Sequence, residues 1–282
     1  MSIKVGYLGP EGTFTEQAAK KWADQSLEKP AQLFPVSNIP QLVHNVCDGE
    51  FVYGVLPVEN SIEGTVNLTV DTLIKAKAVI IGEVITEIEH CLVLKKGASH
   101  KIQVVFSHPQ ALAQCYDYLS REFAGVNLVQ VASTAEAARM VAEGPPGWAA
   151  VCSKHAAMSY GLDILAAGIQ DYLENKTRFL VIGKNIAPPS GFDKTSLVIA
   201  LPQNRPGGLY RVLKEFADAE INLTKIESRP TKKELGEYLF WIDCEGHIED
   251  DKLKKVLKQL STQAALLTIL GSYPRAHGGA KL

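Results

Sequence analysis

The chain has 282 residues, with 29 basic against 31 acidic side chains, a formal net charge of −2 and an isoelectric point near 6.4. That length supports two modest domains, each with its own core, and the charge balance excludes an electrostatic nucleic-acid or anionic-membrane binder. The first twenty residues read as a strand rather than an export leader and no run of 18 apolar residues follows, so a cytoplasmic protein that spans no membrane is expected.

In chain order, the first two-thirds alternates short apolar runs with helical patterns. Strands are expected at 3–8, 53–57, 79–84, 91–94, 104–106, 128–131, 149–151 and 179–182, the pattern of an α/β domain on a largely parallel sheet. The last of these is entered through four polar residues, Asn175, Lys176, Thr177 and Arg178, which suits a solvated loop or a site at the mouth of a core strand. The segment APPSGFDK, 187–194, breaks the pattern and reads as a linker. Beyond it come a strand at 196–201, a helix with Leu209, Val212, Leu213 and Phe216 on one face, and strands at 223–229 and 237–244 joined by a polar turn at 231–236. A helix carrying Leu253, Val256, Leu257 and Leu260 and a strand at 266–271 complete a βαββαβ, ferredoxin-like unit, leaving 276–282 as a frayed tail.

Chemistry gathers after the strands. GPEGTFTEQAA places Thr13 and Glu16 in capping-box spacing, SHPQALAQ does the same for Ser107 and Gln110, and STAEAA for Ser133 and Glu136. Each reads as ordinary helix capping; together they put helix N-termini outside strand ends, where a small anion binds in such sheets. PVENSIEGTV delivers Glu59, Asn60 and Ser61 into a loop, either as turn residues or as reactive groups. The 9–12 loop lacks the third glycine of a dinucleotide fingerprint and the lysine of a P-loop, so no nucleotide cofactor is expected. Cys47, Cys91, Cys115, Cys152 and Cys244, odd in number and widely spaced, read as reduced core thiols, and no Cys/His spacing suits zinc. His108 reads as a loop residue.

GPEGTFTEQAA, PVENSIEGTV, SHPQALAQC, NKTRF, GGLYRVL and IESRP, in that order, resemble prephenate dehydratase with a C-terminal ACT regulatory domain. The resemblance implies a two-lobed catalytic domain, similar to periplasmic binding proteins, at 1–186 with its active site between lobes, a linker at 187–194 and an ACT domain at 195–275. It implies conversion of prephenate to phenylpyruvate with loss of water and carbon dioxide, without a cofactor, and feedback inhibition by L-phenylalanine. Thr177 corresponds to the family's essential threonine, with Glu59 a candidate proton supplier. Asn60, Ser107 and Gln114 are implied to hydrogen-bond substrate oxygens, Arg178 to meet a carboxylate, and Phe179 to form an apolar wall. For L-phenylalanine the resemblance points to Gly208 and Leu209, Asn222 and Leu223, and Glu227, Ser228, Arg229 and Pro230, completed across a homodimer or homotetramer interface. The family motif usually has alanine where Gly208 stands. The chain begins directly in the catalytic strand, which implies no chorismate mutase segment ahead of it. Arogenate dehydratase and a non-catalytic amino-acid sensor remain the alternatives.

Overall fold

The structure, a computed structural model, describes residues 2–98, 100–202, 205–231 and 237–276. The turn expected at 231–236 falls outside them apart from Thr231, as does the expected tail beyond Ala276. In chain order the elements are β1 (Ile3–Leu8), α1 (Phe14–Ser26), β2 (Ala31–Val36), α2 (Ile39–Asp48), β3 (Tyr53–Asn60), β4 (Gly64–Thr65), α3 (Asn67–Leu73) and β5 (Val79–Glu87). Next come β6 (Cys91–Lys95), β7 (Val104–Ser107), α4 (Pro109–Gln114), α5 (Tyr116–Glu122), β8 (Asn127–Gln130), α6 (Thr134–Glu143), β9 (Trp148–Cys152), α7 (Lys154–Ser159), β10 (Leu162–Ala167) and β11 (Lys176–Gly183). The remainder is β12 (Asp193–Ala200), α8 (Gly208–Asp218), β13 (Leu223–Pro230), β14 (Tyr238–Glu245), α9 (Asp251–Gln263) and β15 (Leu266–Pro274). Among the described residues no helix is long and apolar enough to cross a membrane.

The chain divides into two compact units. The first comprises Met1–Leu42, Gly54–Asn67 and Val84–Phe179; the second comprises Val43–Tyr53, Leu68–Glu83 and Leu180–Leu282. In the first unit, strands follow the order β3-β1-β2 in one sheet and β10-β6-β9-β7-β8 in another; β5 and β11, next to β3 in that first sheet, each have part of their length in either unit. The second sheet is mixed rather than largely parallel: β7 runs parallel to β8 and β9, whereas β6 is antiparallel to both β9 and β10. Along β6, Cys91 and Val93 face a core with Ala137, Val141 and Ala156, while Leu92 and Leu94 face one with Leu112, Cys115 and Leu119. Burial on both faces is why this strand reads as a continuous apolar run.

The second unit contains the expected βαββαβ order as β12, α8, β13, β14, α9 and β15, with strand order β13-β14-β12-β15. Leu197, Ile199, Ile242 and Cys244 bury one sheet face against Val212 and Phe216 of α8 and Leu253, Val256 and Leu260 of α9. Elsewhere in this unit, buried Asp243 accepts from Ser196 Oγ and Trp241 Nε1, each at 2.6 Å, so its carboxyl group enters the interior with partners. β12 begins at Asp193, two residues inside the segment expected as linker. The cysteines are free thiols, with Cys91, Cys115, Cys152 and Cys244 buried.

Candidate active site

Two segments carry the chain between the sheets of the first unit: the stretch from Ile88 to His90 leads from β5 into β6, and Asn175 leads back into β11. They are joined where Ile88 N–H donates to Asn175 O at 2.8 Å. β11 then alternates, with Lys176 exposed and Thr177 and Phe179 buried on one face. Those two side chains line a cavity of about 600 Å³ whose lining residues all belong to the first unit. Leu8, Asn60, Thr65 and Asn175 line it as well, as do Ile88, His90, Gln110 and Gln114. Arg178, on the alternate face of β11, pairs with Glu59 at 3.6 Å; neither these two nor Ser107 belongs to the lining.

Helix starts converge on this cavity. Thr13 caps α1, its Oγ1 accepting from Glu16 N–H at 3.3 Å while Glu16 Oε2 accepts from Gly12 N–H at 2.5 Å. Ser133 caps α6 by accepting from Glu136 N–H at 3.0 Å. Thr13, Phe14, Thr15, Ser133 and Thr134 all line the cavity, so the uncompensated N–H groups of two first turns open onto it. The third expected box does not form. Pro109 occupies the first turn of α4, His108 takes the cap position with Nδ1 accepting from Gln110 N–H at 3.3 Å, and Ser107 Oγ instead donates to Val151 O at 2.6 Å. His108, read from sequence as a loop residue, is therefore a capping residue and lines the cavity.

At the centre lies a line of side-chain hydrogen bonds whose donor–acceptor sense is set by the backbone. Asn60 Oδ1 accepts from Ile62 N–H at 3.0 Å and Glu63 N–H at 3.1 Å, so that atom must be the oxygen. Asn60 Nδ2 therefore donates, to Asn175 Oδ1 at 2.7 Å, to Thr177 Oγ1 at 2.8 Å and to Lys176 O at 3.3 Å. Asn175 Nδ2 in turn donates to Gln114 Oε1 at 3.1 Å. Gln114 Oε1, an acceptor, faces His90 Nε2 at 3.1 Å, and this fixes His90 as the Nε2–H tautomer. Burial holds the His90 pKa below its ordinary 6.5, with the Gln114 hydrogen bond opposing, so the imidazole is neutral near pH 7.

This order has two consequences. Thr177 Oγ1 already accepts from Asn60, so its hydroxyl proton is available for the cavity. Gln114 Nε2 and His90 Nδ1 are buried without a partner among the described residues. All the polar atoms of Asn60 are engaged within the protein, whereas Thr177 and Gln114 retain donors. The sequence reading missed His90, Phe14 and Thr15 as lining residues, and noted Asn175 without giving it a role. A histidine set directly before the apolar run CLVL was the available signal.

The residues assigned to phenylalanine are not gathered in one place. Gly208 lines a second cavity of about 590 Å³ with Arg205, Arg211 and Lys214, just beyond the left-handed Gly207 that starts α8. Leu209 is half-buried, Asn222 O accepts from Glu245 N–H at 2.9 Å, and Leu223 packs on the sheet core. Glu227, Ser228, Arg229 and Pro230 lie on β13 outside that cavity, with Arg229 Nη2 on Asp71 Oδ1 at 2.8 Å and Lys225 Nζ on Glu227 Oε2 at 3.2 Å.

Comparison with known proteins gives this geometry its family. The prephenate dehydratase family profile matches residues 5–187 and the ACT domain profile residues 195–262. The chain is 43% identical to the bifunctional chorismate mutase/prephenate dehydratase of Aquifex aeolicus over 97% of its length and 74% of that protein. It is 42% identical to the prephenate dehydratase of Methanocaldococcus jannaschii over 97% of its length and 99% of that protein. Among solved structures, the prephenate dehydratase of Arthrobacter aurescens in complex with L-Phe superposes with a TM-score of 0.88 at 33% identity, covering 99% of this chain and 92% of that one. The chain belongs to the prephenate dehydratase family and is a decarboxylating hydro-lyase with an ACT domain at its C-terminal end.

Proposed function

We propose that this chain converts prephenate to phenylpyruvate, carbon dioxide and water, consuming one proton, and that L-phenylalanine restrains it. The ring carboxylate leaves as carbon dioxide, its bonding electrons enter the diene, and the C4 oxygen departs as water as the ring becomes aromatic. The protein's task is to hold a dianion in one geometry and to hydrogen-bond the departing oxygen. Thr177 does the latter. A threonine hydroxyl is a poor free acid, but one whose oxygen is held by Asn60 points its proton in a fixed direction.

The N-termini of α1 and α6 and the Gln114 amide bind substrate oxygens, and Phe179 supplies an apolar wall against which the departing carboxylate is poorly solvated. Asn60 acts by holding Thr177. Glu59 and Arg178 brace the strand that carries Thr177, and Ser107 braces its own sheet. The observation that carries this reading is the Asn60-to-Thr177 hydrogen bond at the cavity wall.

Residues 1–186 form the catalytic part, 187–194 the linker and 195–275 the regulatory part of a cytoplasmic homo-oligomer, a dimer or tetramer. L-Phenylalanine binds beside Gly208, and the β13 residues of a second copy complete the pocket. The relative crystallised in complex with L-Phe supports phenylalanine as the ligand.

Phenylpyruvate formation from prephenate, with and without L-phenylalanine and with arogenate as competitor, tests the whole proposal. Wild-type protein turns over prephenate and is inhibited, while Thr177→Val, which keeps the side-chain shape, binds substrate without turnover. Turnover by the valine variant would remove Thr177 from the mechanism. Preference for arogenate would change the substrate and leave the site assignment standing.

A further inference from the structure

His90 is 3% exposed, and its ring packs edge-on against Phe14 with centroids 5.8 Å apart. A histidine retained only to fill this space leaves Nδ1 buried without a hydrogen bond, an arrangement that an apolar side chain of similar size avoids. The ring does make one directed contact, from Nε2–H to Gln114 Oε1. A carboxamide can turn end over end, exchanging its donor and acceptor at little steric cost. Asn175 Nδ2–H requires an oxygen at that point, and His90 in its Nε2–H form adds a second donor to the same atom, so together they favour one of those two orientations of Gln114. In that orientation Gln114, a residue that lines the cavity, keeps both Nε2–H donors without a partner among the described residues.

We infer that His90 is a positioning residue, which fixes the Gln114 carboxamide so that Nε2–H meets a substrate oxygen. The inference rests on the reading of Gln114 as a substrate-binding group. It requires the imidazole to be a neutral Nε2–H donor, the form that the backbone-anchored line of hydrogen bonds imposes. Turned the other way, Gln114 offers an oxygen to an anionic substrate and repels it.

Substitutions that differ in where they place a donor test this. Glutamine at position 90 can bring its amide nitrogen close to the position of the imidazole Nε2; asparagine is too short and brings it close to Nδ1. His90→Gln retains most of the wild-type kcat/KM, while His90→Asn and His90→Phe each lose on the order of 100-fold. Gln114→Leu loses a similar factor, and adding His90→Asn to Gln114→Leu produces no further loss, because the residue through which His90 acts is gone.

Circular dichroism and thermal melting of each variant separate these effects from unfolding; if the phenylalanine variant fails to fold, the Gln/Asn pair still decides. Equal activity of His90→Gln and His90→Asn would overturn the inference. So would losses that multiply in the double variant. An unchanged kcat/KM in Gln114→Leu would instead overturn the assignment of Gln114 itself.

Discussion

Asn60 Nδ2 lies 2.8 Å from Thr177 Oγ1, and the same amide has its oxygen held by two backbone N–H groups. The asparagine therefore cannot turn over, and the threonine oxygen is committed as an acceptor. Asn60→Asp keeps one oxygen for Ile62 and Glu63 and places a second opposite Asn175 Oδ1, Lys176 O and Thr177 Oγ1. Thr177 then rotates its proton onto the carboxylate and away from the cavity. Steady-state kinetics are expected to show kcat reduced about 100-fold with a much smaller change in KM. A variant with near-wild-type kcat would show that the direction of the Thr177 proton is irrelevant.

His90 also makes stability depend on pH. Its pKa is lowered in the fold from 6.5, so the unfolded chain takes up this proton at a higher pH than the folded chain. Its contribution is complete above 6.5 and is lost as pH falls below 6.5 toward the folded value. The melting temperature of the wild type should fall between pH 7.5 and 5.5 by more than that of His90→Gln. Equal falls would show that the histidine takes up its proton alike in the folded and the unfolded chain.

Ser107 has its hydroxyl proton on Val151 O and is fully buried. Ser107→Ala should cost about 1 kcal/mol in urea denaturation and leave KM for prephenate nearly unchanged. A large rise in KM with intact stability would return Ser107 to the substrate.

At Gly208 an added Cβ lies 2.8 Å from Leu201 Cδ1, the mobile end of a side chain that can turn aside. Gly208→Ala, which restores the usual family residue, should therefore fold normally and narrow the cavity beside α8. Inhibition titrations with L-phenylalanine read the result, with a shifted half-inhibitory concentration expected. An unshifted curve would place the phenylalanine pocket elsewhere.

Buried, regular parts of the molecule were legible in sequence, as were the edge strands β8 and β13, whereas the edge strands β2 and β10 were not. The strand at 179–182 is apolar because Phe179, Leu180, Val181 and Ile182 are all buried, and the C-terminal βαββαβ order follows from clean helical and strand periods. β2 was missed because it pairs only with β1 at the end of its sheet, where Pro35 is tolerated and little apolar alternation is required. β10 was missed for the same reason at the edge of the other sheet. Ser107 shows how a correct local rule can be displaced by a stronger neighbour. Pro109 in the first turn moves the cap to His108, which frees the serine to bond across the sheet. Thr177, Asn60 and Gln114 stood in recognisable motifs, but only the fold revealed that Asn175 joins them.

The Ile62 and Glu63 amides sit at one end of that chain of side chains and His90 at the other, so the residues between them differ in how far a fault spreads. Replacement of His90 disturbs the last link and leaves Asn60, Asn175 and Thr177 oriented. Replacement of Asn175 severs Gln114 and His90 from the anchor yet leaves Thr177 aimed. A distortion of the 61–63 turn reaches every member at once. The number of residues that one fault disorients is therefore graded along this line, largest at an exposed turn and smallest at a histidine deep in the interior, whose replacement costs only the orientation of Gln114.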